Sequence, residues 1–262
     1  MSTTTEFPEL HWDRLRQEME DNGPDAVIRF IETFEPKERL QLYSFAQRAF
    51  SGREWGRATR SKNFDDYIAI ATAGINEALR QSEEATEPER KTGLKDFGNM
   101  MSYNLSADLA YCWPGDEIPR EQRHFDAGLK AADNCIRWRD ELNKPASRKS
   151  MAWWAKGIHQ ISLNDPAGAV YSLGKAFQYN LQDEAENNRP AALSPESSFG
   201  ALLGSGYLGI AEVLNGNPAG RERYNEACNL FRAQIEHHED KKEDATFGLE
   251  QLQTVEKRYL NN

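Results

Sequence analysis

Two short stretches decide the fold: Asp165-Pro166-Ala167-Gly168 and Asn217-Pro218-Ala219-Gly220, 52 residues apart. Asp or Asn followed by Pro is a sound helix start. The side chain caps free backbone N–H groups, and Pro suits the first turn, where no N–H is needed. At the same offset Gly157 maps to Gly209, Ile158 to Ile210, Ile161 to Val213 and Ala176 to Cys228. Small and apolar positions therefore recur on both helices flanking each turn, which identifies an internal repeat. Small residues at a helix crossing let the two backbones approach closely.

Composition agrees with a helical reading. The chain has 262 residues, 39% of them hydrophobic, with 29 Ala and only 4 Val. Ala and straight-chain residues lose little freedom in a helix, whereas β-branched residues favour strands. The expected class is all-α, with about eleven helices, mostly joined by short turns. Gly23-Pro24 and Ser51-Gly52 end early helices, Asn63 and Asp65 are candidate caps for the next, and Asn143-Lys144-Pro145 turns the chain later. The span 182–198 reads as a long polar loop. Ser82 to Pro88 breaks the helical pattern and predicts a boundary between an N-terminal helical segment, 8–82, and a repeat region, 88–262.

Trp153, Gly157, Ala169 and Ala176 follow the spacing of a tetratricopeptide repeat (TPR): an aromatic, then a small residue, then two small residues on the second helix. The chain resembles that family. The second copy keeps Gly209 and Cys228 but has Ser205 for the aromatic and Arg221 for the first small residue of its second helix. A weaker copy upstream carries Leu105-Ser106 and an expanded turn, Trp113 to Pro119. The period exceeds the roughly 34 residues of a TPR. Longer helices and the 182–198 loop absorb the excess.

The resemblance covers residues 89–236 and implies a right-handed superhelix of antiparallel helix pairs, closed by a capping helix from Asp244 to Leu260. It also implies a concave wall built from the first helix of each pair. That wall would carry Tyr103, Ala107, Ala110 and Tyr111, then Trp154, Ile158 and Ile161, then Gly206, Ile210 and Val213. It is apolar and aromatic, and it lacks the cationic cluster with which chaperone-binding TPR domains grip a terminal carboxylate. Two occupants fit such a wall: a peptide or helix of a partner protein, or this chain's own terminal helices.

Other motifs are weaker. His237-His238-Glu239-Asp240 looks like a metal site, but neighbouring helical residues point about 100° apart, so the two imidazoles do not share an ion easily. They suit a helix C-terminus instead. His124 and His159 are isolated, and Cys112 and Cys135 fall at small packing positions. Asp65-Asp66 lacks the spacing of a metal-binding carboxylate pair, and no phosphate loop or nucleophile elbow occurs.

Charge narrows the partners. With 32 Lys and Arg against 42 Asp and Glu, the formal net charge is -10, which disfavours nucleic acid and anionic lipid. The longest apolar stretch, Phe199 to Leu214, contains four glycines and Glu212 and makes a poor membrane span. Three scattered cysteines and the lack of a basic-then-apolar start in Met1 to Pro8 point to the cytoplasm. The exception in charge is a basic connector holding Arg53, Arg57, Arg60 and Lys62 against Glu54. It either neutralises nearby carboxylates or binds a phosphate or acidic peptide.

The expected function is a non-catalytic protein–protein interaction module without cofactor or metal. Its site is the apolar wall, with Tyr103, Tyr111, Trp154, Ile158, Ile161 and Ile210 as contact residues, and homo-oligomers are compatible with it. Anion recognition by the connector is the alternative. A metal- or cysteine-dependent hydrolase is the least supported reading.

Overall fold

A computed structural model describes residues 7–51, 63–189 and 192–260. A one-turn 3-10 helix (Phe7–His11) leads into α1 (Trp12–Asn22), α2 (Pro24–Glu32), α3 (Pro36–Ser51), α4 (Phe64–Glu84) and α5 (Pro88–Leu109). There follow α6 (Gln122–Glu141), α7 (Ala146–Ser162), α8 (Pro166–Glu186), α9 (Phe199–Leu214), α10 (Ala219–His237) and α11 (Lys242–Tyr259). The all-α class stands, and no strand occurs among the described residues. None of the described helices is long and apolar enough to cross a membrane.

Local chemistry accounts for the helix ends. Asn63 caps α4 by accepting hydrogen bonds from the Asp65 and Asp66 N–H groups, Asp165 caps α8 through Gly168 N–H, and Ser198 caps α9 through Ala201 N–H. Four C-termini share one stop. Asn143, Asn164, Asn188 and Gly216 all take the left-handed conformation. In each, the next residue's N–H bonds back to a carbonyl five positions earlier: Lys144 to Arg139, Asp165 to Gln160, Arg189 to Glu184 and Asn217 to Glu212. A Pro stands two places after each left-handed residue, at 145, 166, 190 and 218. The turns at Asn164 and Gly216 are 52 residues apart and match bond for bond, so the repeat is present in the backbone as well as in the letters.

The chain divides into two compact units, one ending at Leu109 and one beginning at Ala110. In the N-terminal unit α3, α4 and α5 run antiparallel in sequence order. Gln81 bonds the Pro36 carbonyl while Gly74 lies against Tyr43, and Ser82 bonds the Lys91 carbonyl while Gly74 also lies against Met101. Gln47 donates to the Met101 carbonyl and ties α3 to α5. This corrects the predicted boundary: α5 packs with α4 across the Ser82–Pro88 break, so the division falls after α5 and not before it. The weak upstream copy of the repeat, which paired α5 with α6, therefore straddles two units.

On the outside of this unit Glu77 accepts from Arg80 and Gln81 and lies 3.5 Å from Arg39. Burial alone would raise the Glu77 carboxyl, but the bonds from Arg80 and Gln81 outweigh it and hold it below its ordinary value. A depressed carboxyl stabilises the fold above its unfolded-state pKa, and that contribution is lost as pH falls through the folded value. Glu77→Gln should therefore lower the N-terminal unit's stability at pH 7 and make it less sensitive to acid, as read from urea midpoints between pH 7 and pH 3.

In the C-terminal unit α6 to α10 again pack as successive antiparallel neighbours. Lys149 pairs with Asp140 and Lys156 with Asp133 between α6 and α7, at 2.9 and 2.8 Å. Between α7 and α8, Ser150 donates to Asn180 and Gly157 faces Leu173. Between α9 and α10, a Cβ at Gly209 would lie 2.7 Å from both the Gly220 carbonyl oxygen and the Tyr224 nitrogen. Gly157 and Gly209 are repeat equivalents, and each sits at its helix crossing. The capping helix α11 runs antiparallel to α10, with Gly248 against Phe231 at one end and Tyr224 donating to Glu256 at the other.

Candidate functional site

The predicted wall must be followed residue by residue. Tyr103 lies on α5 in the N-terminal unit, and the other five positions belong to the C-terminal unit. Ile158, Ile161 and Ile210 are 1%, 5% and 0% exposed and join one apolar core with Leu173, Tyr207, Phe231, Leu252 and Val255. They offer no surface to a partner. The reason is α11: Leu252 fills the space over Gly206, a predicted wall position, so this last helix packs where the sequence places the wall. Of the two occupants the sequence left open, the chain's own helix fills this part of the wall.

Tyr111 is likewise committed. Its ring is flanked by two guanidinium groups, with Arg258 3.7 Å and Arg120 4.8 Å from the ring centre. Arg120 pairs with Asp116 at 2.6 Å, and Arg258 donates to the Asp116 carbonyl. Cation–ring contacts of this kind strengthen when desolvated, and the Arg120 side chain is wholly buried. The segment before α6 is thereby locked to the end of α11, where Ser162 and Tyr259 also share a 2.7 Å hydrogen bond. Sequence reading missed this cluster because Tyr111 and Arg258 stand far apart in the chain.

Deeper in the wall, Gln251 of α11 donates to the Cys112 thiol, and the Tyr207 and Trp154 rings meet edge to face at 6.1 Å. Burial, with the Cys112 thiol beside it, pushes the Tyr207 hydroxyl far above its usual range and keeps it neutral. Cys112, Cys135 and Cys228 are all free and buried. Burial raises Cys228, which favours the unreactive thiol form. His124 takes a structural part: its Nδ1 accepts from the Glu121 N–H at the start of α6. His159 is fully buried where α6 crosses α7, directly over Gly128. No cluster of metal-ligating side chains occurs among the described residues.

What remains of the wall at the surface is aromatic. Trp154, partly buried, meets Trp113 at 6.0 Å, and Trp113 stacks on Phe247 of α11 at 6.1 Å with an angle of 27°. Phe247 is 41% exposed. Glu243, Asp244 and Glu250 flank it one turn away on α11 and are exposed, as is Glu117 in the segment that follows Trp113. Trp113 and Phe247 thus form an aromatic ledge, with exposed carboxylates one helical turn away on α11. Trp154 was legible as a wall residue from its repeat position, whereas Phe247 carries no repeat signal. Arg53, Arg57, Arg60 and Lys62 of the basic connector lie outside the described residues.

In comparisons with family models, curated proteins and solved structures, nothing matches this chain.

Proposed function

We propose that this chain is a non-catalytic, cytoplasmic interaction module of the TPR-like kind, and that it binds an apolar, basic segment of a partner protein on the Trp113–Phe247 ledge. The observation that carries this reading is the exposed Phe247 ring, stacked on Trp113 and flanked one turn away on α11 by the exposed Glu243, Asp244 and Glu250. Aromatic anchors with a charged rim are the usual energetic centre of a protein interface. The rim's sign selects a basic partner, because charge complementarity speeds encounter and rejects acidic competitors. Two hairpins with equivalent turns supply a rigid support for the ledge, in keeping with the right-handed superhelical array that the repeat implies.

The test uses an amphipathic peptide of Leu and Lys as probe, with a Leu and Glu peptide as control, followed by tryptophan fluorescence. The basic peptide should bind, and Phe247→Ser should weaken it at least tenfold while leaving the thermal midpoint near the parent's. Equal binding by Phe247→Ser and the parent overturns the reading.

A further inference from the structure

The outer face of α8 is unlike the other exposed helix faces of its unit. On α6 it carries Asp126, Lys130, Asp133 and Arg137, and on α10 it carries Glu222, Glu226 and Arg232. On α8 it runs Ala167, Tyr171, Gly174, Gln178, Gln182 and Ala185, all at helical spacing and all uncharged. Tyr171 is 60% exposed, held edge to face on Trp153 at 5.8 Å. A Cβ at Gly174 would meet nothing within 4 Å, so no neighbour in the chain calls for glycine there.

Only two charges lie on this face, and they have opposite signs. Lys175 stands beside Tyr171, its ammonium 6.0 Å from the ring centre, and Glu186 closes the last turn. Neither has an ion-pair partner among the described residues. Glu186 accepts only a hydrogen bond from Gln182, and it lies at the helix end where a carboxylate is least favoured. One positive and one negative charge on a single stripe make the stripe complementary to itself when turned end for end. A two-fold axis between them sets each Lys175 against the other copy's Glu186, as a symmetric dimer contact requires. A parallel pairing would set like on like.

We propose that α8 is the contact helix of a homodimer, packed antiparallel on α8 of a second copy. The two Lys175–Glu186 pairs fix the register, which sets Gln178 of each copy beside Gln182 of the other. Two copies carrying a net charge of -10 repel each other over most of their surface, which leaves a face without net charge as the place where they can meet. A single helix face is small for a stable interface, so the association is weak and concentration dependent. This contact is separate from the Trp113–Phe247 ledge, and either reading can fail without the other.

The experiment measures mass by light scattering and sedimentation from low to high micromolar concentration. The parent should move from monomer to dimer mass. Lys175→Glu and Glu186→Lys should each stay monomeric over that range, and the double exchange should restore the dimer, which separates a lost contact from a lost fold. Because the native thiols are buried, Gln182→Cys, nearest the axis, should cross-link two copies under mild oxidation, and Ala167→Cys should not. A parent that remains monomeric, a double exchange that fails to recover the dimer, or cross-linking through Ala167→Cys overturns the proposal. So does capture of a different protein through Tyr171 by a monomeric parent.

Discussion

Gly209→Ala is expected to cost the C-terminal unit about 3 kcal/mol or more. One methyl group is enough because its neighbours are backbone. The new Cβ would lie 2.7 Å from the Gly220 carbonyl oxygen and from the Tyr224 nitrogen, and neither can rotate away as a side chain tip can. Relief requires α9 and α10 to move apart, which loosens the packing of Tyr224, Ala227 and Phe231 beyond them. For a unit of this size the thermal midpoint should fall by about 6–12 °C. The control is Gly93→Ala on α5, where a Cβ meets nothing within 4 Å. There alanine removes only the backbone entropy cost of glycine, and about 0.5–1 kcal/mol of added stability is expected. If calorimetry gave the two substitutions the same sign, the crossing argument would fail.

Glu184→Ala should be of comparable effect, about 1–3 kcal/mol, because it leaves a buried donor without its acceptor. This carboxylate is 1% exposed, accepts from Arg189 Nε at 2.9 Å and faces the Ser198 N–H at the start of α9. Removing it leaves the Arg189 guanidinium with only Asp183 at 3.3 Å and deprives the first turn of α9 of an acceptor. The segment 187–198 would then lose the anchor joining its two ends. Limited proteolysis should cut between Asn187 and Ser198 in the variant before any cut in the parent. Glu184→Gln keeps the shape and an acceptor oxygen but not the charge, so its loss should be clearly smaller. Equal losses for the two variants would show that the charge alone, and not the shape and acceptor oxygen that glutamine keeps, is what matters.

Glu184 also marks where reading the chain by its letters stops. It ends a helix and opens a polar stretch, and nothing in its surroundings in sequence distinguishes it from Glu186 two places later. Only folding brings Ser198 over the one and leaves the other exposed. The same contrast holds for the wall. Trp154 and Ile158 sit at repeat positions that the sequence reads as inward facing, and the structure buries Ile158 fully and Trp154 in part. Whether inward means groove or core depended on Leu252, almost a hundred residues later.

The sequence by itself determined most of the helices and two of their crossings, although α8 runs on to Glu186 into the stretch 182–198 that reads as loop. These rest on nearest-neighbour chemistry: an Asn or Gly able to turn left-handed two residues before Pro, an Asp, Asn or Ser able to cap, and a glycine where two backbones touch. Each leaves its mark within a few residues, so 165–168 and 217–220 were enough to expose the repeat. Only the tertiary structure decided that α5 belongs with α4, that α11 fills the wall, and that Tyr111 is held between Arg120 and Arg258. Those outcomes are set by which apolar face finds another to cover it. Burial is not directional and can be satisfied by any suitable face along the chain, so local pattern does not specify the partner.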